Sequence, residues 1–359
     1  MKINFIVPAL NNTGGIRVVA IYASYLADAG HEVNVISPNK RNHTIRRRIS
    51  YFLKGQGWSG GAHFSSAFFT NPKVNVQILN KWRPVDSSEV PDADIVIATF
   101  WNTAEWVNSY PSNKGKKIYF IQHYEVHPWL PIDRVKATLN YNFKKIVVSN
   151  WIKQVLENNF LNQSSISVVP NGVDLNQFYS GERNKQKEVT VGFFYSEREF
   201  KGCTTINEAI RIARKTYPEL RVVAMGMKKP EKVIPLPKNT IFYENPPQDK
   251  IKEIYSKCDV WLFGSKSEGF GLTILEAMAC KTPVIGTKAG AAPELLAGAG
   301  NMLVDIDDSE EMAKMIIKII EMSPSEWLLL SKKSLEVATN NDWVENAKKF
   351  EKELVCSLY

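Results

Sequence analysis

Several features of secreted, metal-binding and membrane-spanning proteins are absent from this sequence. It has four cysteines in 359 residues, none before Cys203 and no pair in C-x-x-C spacing, which argues against a disulfide framework and favours free thiols in a reducing cytosol. No apolar run approaches the roughly 18 residues of a membrane-spanning helix. No group of His and Cys has zinc spacing, and no metal is expected. The opening MKINFIVPAL lacks a small-residue cleavage site and predicts a β-strand, not a signal peptide.

The net charge of +8 is unevenly distributed. Residues 1–170 contain 19 Lys/Arg and 10 Asp/Glu, whereas residues 171–359 contain 26 and 27. Part of the excess lies in Lys40 to Trp58, where basic and large apolar residues alternate. Such a segment suits an anionic membrane surface, and a solvated charged loop is the alternative. No nucleic-acid recognition motif accompanies the charge, so nucleic acid is not an expected partner.

Short apolar strands alternate with amphipathic helices along the whole chain, and this alternation predicts parallel α/β sheets. The first half begins with a strand over 3–9, a glycine-containing turn from Asn11 to Gly15 and a helix over 16–29. Further strands are predicted over 32–36, 95–99, 117–122 and 145–149. The first turn lacks G-x-G-x-x-G, which argues against a nicotinamide oxidoreductase.

The pattern restarts after Pro170, which predicts a second α/β domain. Its strands are expected over 189–194, 221–225, 240–243, 260–263 and 283–286, and its helices over 204–215, 250–257, 271–279 and 309–322. We therefore predict two Rossmann-like domains facing a cleft, over residues 1–170 and 171–340. Residues 341–359 are predicted to form a C-terminal helix that packs on either domain, with a return to the first domain as one alternative.

The most informative segment is SKSEGFGLTILEAM, which follows the strand over 260–263. Its glycine turn brings a helix N-terminus to the carboxyl edge of a parallel sheet, where such sheets bind ligands. The N–H groups of Gly271, Leu272 and Thr273 are expected to receive a diphosphate. Glu268 and Glu276 can each accept hydrogen bonds from hydroxyl groups, so one is expected to hold the sugar and the other the ribose.

With this E-x7-E pattern, the chain resembles the retaining glycosyltransferases of family 4, which have the two-domain GT-B fold. The resemblance is strong over 165–300, where it includes VVPNGVDLNQF, YSEREFKG and AGAAPELL, and it extends to Asn12-Thr13-Gly14-Gly15 near the start. It is weaker over 40–145, where acceptor recognition is expected. FIQHYE is similar to a subgroup that transfers rhamnose in surface polysaccharide assembly, although that subgroup has an acidic residue where His123 stands.

The resemblance implies roles for residues in both halves. It implies that Glu276 binds the donor ribose and that Glu268 binds the transferred sugar. Lys201 matches a lysine that neutralises the diphosphate as the bond to the leaving group breaks. Arg198 is the nearest candidate for the family's arginine, because Phe193 and Phe194 stand at the usual position. His123 matches a histidine near the transferred sugar, with the alternative of a structural histidine.

Two other groups complete the predicted site. Gly14 and Gly15 fit a glycine loop that approaches the donor and acceptor without a Cβ. Tyr243 and Asn245, near a strand end, are candidates for the base pocket. Lys201 and Arg198 have the alternative of pairing with Glu197 and Glu199 on the surface.

The sequence Asp305-Ile306-Asp307-Asp308 contains a D-x-D string, which binds a divalent metal in another class of glycosyltransferase. We interpret it as the cap of the helix that starts near Ser309, because Asp and Ser favour that position. The resemblance likewise implies no metal and no cofactor, with the nucleotide diphosphate sugar as co-substrate.

Together these observations predict a cytoplasmic hexosyltransferase, with a peripheral place on the cytoplasmic membrane face as an alternative, and the resemblance implies that it is retaining. It would transfer a hexose or deoxyhexose from a nucleotide diphosphate sugar to a glycan or lipid-linked glycan. The alternative is a catalytically silent glycan- or nucleotide-binding module with the same fold. The identities of the sugar, base and acceptor do not follow from residue spacing.

Overall fold

The computed structural model describes residues 1–39, 67–160, 165–230, 233–300 and 302–359. The chain divides into two structural units. Unit 1 consists of Met1–Val147, Lys153–Val169 and Ala347–Tyr359. Unit 2 consists of Val148–Ile152 and Pro170–Asn346. The basic segment Lys40 to Trp58 lies outside the described residues, so its membrane contact stays a prediction. None of the described helices is long and apolar enough to span a membrane.

Unit 1 contains a seven-stranded sheet in the order β3-β2-β1-β4-β5-β6-β7, and every neighbouring pair is parallel. Its central strands are buried along almost their whole length, as expected of a parallel sheet covered on both faces. The strands are β1 (Lys2–Ile6), β2 (Glu32–Ser37), β3 (Val74–Ile78), β4 (Ile95–Ala98), β5 (Lys116–Ile121), β6 (Lys144–Val147) and β7 (Ile166–Val168).

The first four described helices are α1 (Gly14–Asp28), α2 (Trp101–Asn108), α3 (Ile132–Leu139) and α4 (Asn150–Asn159). Helix α1 begins two residues earlier than predicted, so Gly14 and Gly15 lie in its first turn and not in the preceding turn. Thr13 has extended backbone angles and its carbonyl accepts the N–H of Arg17 at 3.1 Å. That bond sets the helix start.

Unit 2 contains a six-stranded parallel sheet in the order β10-β9-β8-β11-β12-β13. The strands are β8 (Thr190–Tyr195), β9 (Arg221–Gly226), β10 (Thr240–Glu244), β11 (Val260–Phe263), β12 (Val284–Thr287) and β13 (Leu303–Val304). The helices are α5 (Cys203–Thr216), α6 (Ile251–Ser256), α7 (Leu272–Ala279), α8 (Ala292–Gly298), α9 (Ser309–Glu321) and α10 (Pro324–Thr339). Two parallel α/β sheets confirm the predicted fold class.

Helix α10 was not among the predicted helices, although its start has a clear sequence signal. Ser323 and Glu326 form a capping box, and Pro324 occupies the first helical position. Trp327, fully buried, donates its indole N–H to the carbonyl of Asp259 at 2.9 Å. This helix covers the core of unit 2.

The last helix, α11 (Trp343–Cys356), packs in unit 1 from Ala347 onward. The ring of Phe350 stacks on Tyr22 with centroids 4.4 Å apart and meets Phe120 edge-on at 5.0 Å. Glu351 pairs with His31, with Oε1 to Nε2 at 2.8 Å. Buried aromatic contacts and this pair hold the helix to the first sheet.

Candidate active site

Two loops beside the switch point of the unit 2 sheet contain predicted site residues. Strands β8 and β11 are parallel neighbours, with Phe193 beside Leu262, and the strand order reverses between them. Ligands of open α/β sheets bind in the crevice at the carboxyl ends of such strands. Lys201 follows β8 and Glu268 follows β11, so the fold places both residues at the edge where a ligand is expected.

Lys201 and Glu268 bind each other directly. The Lys201 ammonium forms an ion pair with Oε2 of Glu268, and the Ser265 hydroxyl donates to the same oxygen at 3.2 Å. The two charged side chains are 27% and 15% exposed, so solvent screens the pair only in part. The structure thus brings together a cation and a carboxylate that the sequence separates by 67 positions.

Close backbone packing holds these two loops together. Gly202 has φ +64°, and a Cβ there would lie 1.7 Å from the carbonyl oxygen of Gly264. The N–H of Lys266 donates to the carbonyl of Phe200 at 2.7 Å. Because Gly202 has no side chain, the turn that carries Lys201 can lie directly against the loop that carries Glu268.

Helix α7 begins at the end of the Glu268 loop. Its N-cap is Gly271, with φ +99°, a conformation that favours glycine. The first N–H groups of a helix have no partner four residues back, and the helix dipole adds positive potential there. Leu272 and Thr273, both half-buried, therefore direct backbone donors to a place that suits an anionic group.

Glu276 lies one turn further into α7 and is 8% exposed. The hydroxyl of Tyr255 donates to its Oε2 at 2.9 Å. Tyr255 is fully buried, packs edge-on against Trp261 with centroids 4.6 Å apart, and accepts a bond from Thr282 Oγ1 at its carbonyl at 2.8 Å. It is thus a positioning residue for the carboxylate.

Burial, reinforced by Glu276, raises the pKa of the Cys280 thiol to about 12, so this thiol stays protonated at neutral pH.

Lys266, in the loop between β11 and α7, forms an ion pair with the turn before α9. Its ammonium lies 2.9 Å from Oδ2 of Asp307 and 3.5 Å from Oε1 of Glu199. The hydroxyl of Thr205 donates to the other oxygen of Asp307 at 2.9 Å. These bonds lower the pKa of the Asp307 carboxyl, with the Lys266 contact as the main cause.

The D-x-D string has structural partners. Asp308 caps α9 by accepting the N–H of Glu311 at 2.8 Å, which confirms the predicted cap. Asp305 pairs with Lys288 at 2.6 Å. In the described part of the chain, no group of three or more His, Cys, Asp and Glu side chains is arranged to hold a metal ion.

Arg198 is exposed, with its guanidinium 5.9 Å from the ring centroid of Phe200. The Lys201 ammonium lies 5.4 Å from the same ring. The proposed surface pairing with Glu197 or Glu199 is not found among the described ion pairs, since Lys201 binds Glu268. The role of Arg198 at a diphosphate stays a prediction.

Tyr243 and Asn245 lie at the end of β10, two strands from β8. The Tyr243 hydroxyl accepts a bond from the Lys257 ammonium at 2.9 Å. Asn245 is exposed, has φ +42° and donates its N–H to the carbonyl of Gly226 at 2.7 Å. Their part in a base pocket stays a prediction.

The candidate site residues of unit 1 follow the carboxyl ends of its strands. The side-chain amide of Gln122 donates to the carbonyl of Gly15 at 3.1 Å, which joins the end of β5 to the start of α1. His123 is half-buried, and its Nδ1 lies 3.0 Å from the carbonyl oxygen of Tyr124. The roles of Gly14, Gly15 and His123 in binding stay predictions.

Glu125 is a residue that the sequence reasoning did not single out. Its Oε2 accepts the N–H of Trp101, the first residue of α2, at 2.9 Å. Desolvation raises the pKa of this carboxyl, and the bond from Trp101 opposes that rise. The available sequence signal is its position just after β5, since polar residues there lie at the sheet edge.

Two family models match consecutive parts of the chain. The model described as Glycosyltransferase Family 4 matches residues 13–177, and that described as Glycosyl transferases group 1 matches residues 177–350. Among curated relatives, the D-inositol 3-phosphate glycosyltransferase of Mycolicibacterium smegmatis is 29% identical over 50% of this chain and 45% of its own. The N-acetyl-alpha-D-glucosaminyl L-malate synthase of Bacillus anthracis is 37% identical over 21% and 20%. The chain thus spans half or less of these relatives' length.

Solved structures match over nearly the whole chain. Sucrose-phosphate synthase from Thermosynechococcus elongatus has a TM-score of 0.75 at 17% identity, covering 98% of this chain and 97% of its own. Anabaena HepE, solved with UDP and glucose, has a TM-score of 0.72 at 17% identity, covering 99% and 100%. At such identities the match establishes the fold alone.

Proposed function

Because this chain belongs to the family 4 glycosyltransferases of the GT-B fold, we propose that it is a retaining, metal-independent hexosyltransferase. The donor is a nucleotide diphosphate sugar. The acceptor is a glycan or lipid-linked glycan used in cell-surface polysaccharide or glycoconjugate synthesis. The names of the curated relatives give other acceptors, so the acceptor proposed here rests on the sequence resemblance and not on those relatives.

The observation that carries the proposal is the Lys201–Glu268 pair beside the N-terminus of α7. A nucleotide diphosphate sugar presents a dianionic diphosphate next to a sugar rich in hydroxyls. An ammonium and helix N–H donors match the first, and a carboxylate matches the second. Tyr255, which orients Glu276, supports a ribose site one helical turn away.

In the proposed reaction, the bond between the sugar C1 and the diphosphate oxygen breaks, and the oxygen leaves with the electron pair. Lys201, Arg198 and the N–H groups at the start of α7 stabilise the negative charge that develops on it. The acceptor hydroxyl attacks C1 on the same face, and its proton passes to the departing phosphate oxygen. Glu268 holds hydroxyls of the transferred sugar, and His123 hydrogen-bonds a substrate hydroxyl.

Turnover of a donor panel tests this proposal. We expect one of UDP-glucose, UDP-N-acetylglucosamine, GDP-mannose and GDP-rhamnose to release its nucleoside diphosphate, and to do so in EDTA as well as in magnesium. The anomeric configuration of the product, measured by NMR, is expected to match that of the donor. A donor that stabilises the protein without any turnover across a broad panel of glycan acceptors would instead support the silent binding module.

A further inference from the structure

The hydroxyl of Ser149 holds the loop that carries Glu268. It donates to the carbonyl of Gly269, the next residue of the loop, at 2.8 Å, and Ser149 is fully buried. The two bonded residues lie 120 positions apart in the sequence, and both belong to unit 2. A buried carbonyl needs a donor, and Ser149 supplies it. The orientation of the peptide group after Glu268 therefore depends on this hydroxyl.

Ser149 is itself fixed in place at the start of α4. Its oxygen accepts the N–H of Ile152 at 3.3 Å. The next residue, Asn150, donates its backbone N–H to one carboxylate oxygen of Glu294 and its side-chain amide to the other, both at 2.9 Å. Glu294 lies in α8 of the same unit. Because these bonds fix the serine, its hydroxyl proton is directed at a single acceptor in the Glu268 loop.

A second segment, Gly290 and Ala291 between β12 and α8, holds the same loop. The N–H of Ala291 donates to the carbonyl of Phe270 at 3.0 Å. A Cβ at Gly290 would lie 2.9 Å from the same carbonyl oxygen and 3.1 Å from the Cβ of Glu268. Gly290 also has φ +58°, a conformation that favours glycine. A side chain at residue 290 would therefore press on Glu268.

The loop needs such contacts because its backbone is otherwise free to reorient. It has no regular secondary structure and contains glycine at positions 264, 269 and 271, and glycine has the greatest conformational freedom. The bonds from Ser265 and Lys201 reach the end of the Glu268 side chain, whereas Ser149 and Gly290 restrain the backbone. A carboxylate that holds one sugar hydroxyl must be placed to within about 0.5 Å.

We propose that Ser149 and Gly290 are positioning residues for Glu268. They act through the loop backbone, and the carboxylate alone contacts the transferred sugar. This inference rests on the proposed transferase function for its kinetic meaning, since it concerns the same site. The restraint on the loop is nevertheless measurable without a donor.

Ser149→Ala tests the hydrogen bond on the full chain. Without nucleotide, we expect hydrogen–deuterium exchange over 265–275 and at the Ala291 amide to rise several-fold. The kcat for the donor is expected to fall about ten-fold or more, because a misplacement of about 1 Å can cost on the order of 10² in rate. The KM and the Kd of the nucleoside diphosphate are expected to change less than about three-fold, because Lys201 and the start of α7 remain.

The matched control is Ser331→Ala. Ser331 is also a buried serine of unit 2, and its hydroxyl donates to the carbonyl of Lys281 at 2.7 Å, beyond the other end of α7. This variant loses the same kind of bond away from the Glu268 loop. Both the exchange of the loop and kcat are expected to stay close to the wild-type values.

A double-mutant cycle shows whether Ser149 acts through Glu268. In the Glu268→Ala background, Ser149→Ala is expected to change kcat less than about two-fold, because the carboxylate that it positions is gone. A merely structural residue would lower kcat by the same factor in both backgrounds.

Gly290→Ala is the second variant, and it is expected to repeat the loss of kcat and the dependence on Glu268. Its control is Gly300→Ala, because Gly300 has φ +92° and a Cβ there would lie 2.5 Å from the side chain of Leu330. That substitution is equally strained but presses on α10. Thermal midpoints show which variants are folded, and Gly290→Ala carries the test if Ser149→Ala has unfolded.

Three results would overturn the proposal. These are unchanged exchange of the loop in Ser149→Ala, a loss of kcat no larger than in Ser331→Ala, and the same loss with and without the Glu268 carboxylate. A loss of diphosphate binding as large as the loss of kcat would also contradict it, because the effect would then lie at the anion site. If wild type turns over no donor, the transferase proposal fails, and the exchange of the loop still decides whether Ser149 restrains it.

Discussion

Replacement of Lys201 by alanine is expected to lower kcat/KM for the donor by about 10²–10³, the usual cost of removing one group that stabilises developing charge. The ammonium lies beside Glu268 and near the start of α7, where the leaving diphosphate gains its charge in the proposed reaction. Because that charge is greatest in the transition state, kcat is expected to fall more than KM rises. Steady-state release of nucleoside diphosphate measures both constants.

Lys288→Ala is the matched control for this experiment. Lys288 is also a paired lysine of unit 2, since it binds Asp305 at 2.6 Å, and its side chain is 54% exposed. Its loss is expected to change activity little. Similar activities for Lys201→Ala and Lys288→Ala would contradict the role given to Lys201, and circular dichroism shows whether either variant has unfolded.

Glu268→Gln is expected to separate binding from transfer. In the structure the Glu268 carboxylate pairs with the Lys201 ammonium, so an incoming diphosphate must compete with this carboxylate for the ammonium. Removal of this charge is expected to tighten the binding of a nucleoside diphosphate roughly two- to five-fold, as for a partly exposed pair worth about 0.5–1 kcal/mol. Transfer is expected to fall by about 10² or more, because the sugar loses a charged hydrogen-bond acceptor.

Isothermal titration of the diphosphate and turnover of the sugar donor measure the two effects separately. Glu199→Gln is the control, because Glu199 is a neighbouring acid that pairs with Lys266 and is 88% exposed. It is expected to change neither quantity appreciably. Weaker diphosphate binding in Glu268→Gln would show that the carboxylate supports the anion site and does not compete for it.

The sequence predicted the inner strands of both sheets because buried parallel strands leave apolar runs, whereas the edge strands β3, β7 and β13 were not predicted. The strand over 260–263 and the cap at Asp308 were both predicted from local pattern, and the structure has both. Helix boundaries were less certain, as the earlier start of α1 shows. There the backbone of Thr13, rather than the glycine composition, determines the first turn.

The site was predicted as residue types, and its internal contacts were not. Lys201 and Glu268 lie 67 positions apart, so no periodicity reveals their pairing. Tyr255 lies 21 positions before Glu276, and only the packing of α6 against α7 brings its hydroxyl to the carboxylate. Such contacts depend on tertiary structure, which composition and spacing do not encode.

One residue of unit 2 has a backbone conformation that the sequence pattern does not reveal. Lys281 follows α7, and its φ is +57°. This left-handed conformation costs most side chains roughly 1 kcal/mol. The lysine is accommodated at the end of α7, where its ammonium donates to the carbonyl of Gly181 at 3.0 Å.

Recognition of the donor ribose by Glu276 is the most direct test of the nucleotide site in unit 2. Thermal stabilisation is measured with UDP, GDP and ADP and with their 2′-deoxy forms, on wild type, Glu276→Ala and Tyr255→Phe. Tyr195→Phe is the control, because Tyr195 is a buried tyrosine whose hydroxyl donates to the carbonyl of Ile234 at 2.9 Å.

We expect one ribonucleotide to stabilise wild type and Tyr195→Phe more than its deoxy form does. A hydrogen bond to a charged group, worth about 1.5–3 kcal/mol, sets the size of that difference. The difference should vanish in Glu276→Ala and shrink in Tyr255→Phe. No stabilisation by any nucleotide, or equal preference for ribose in wild type and Glu276→Ala, would contradict a nucleotide diphosphate site at α7.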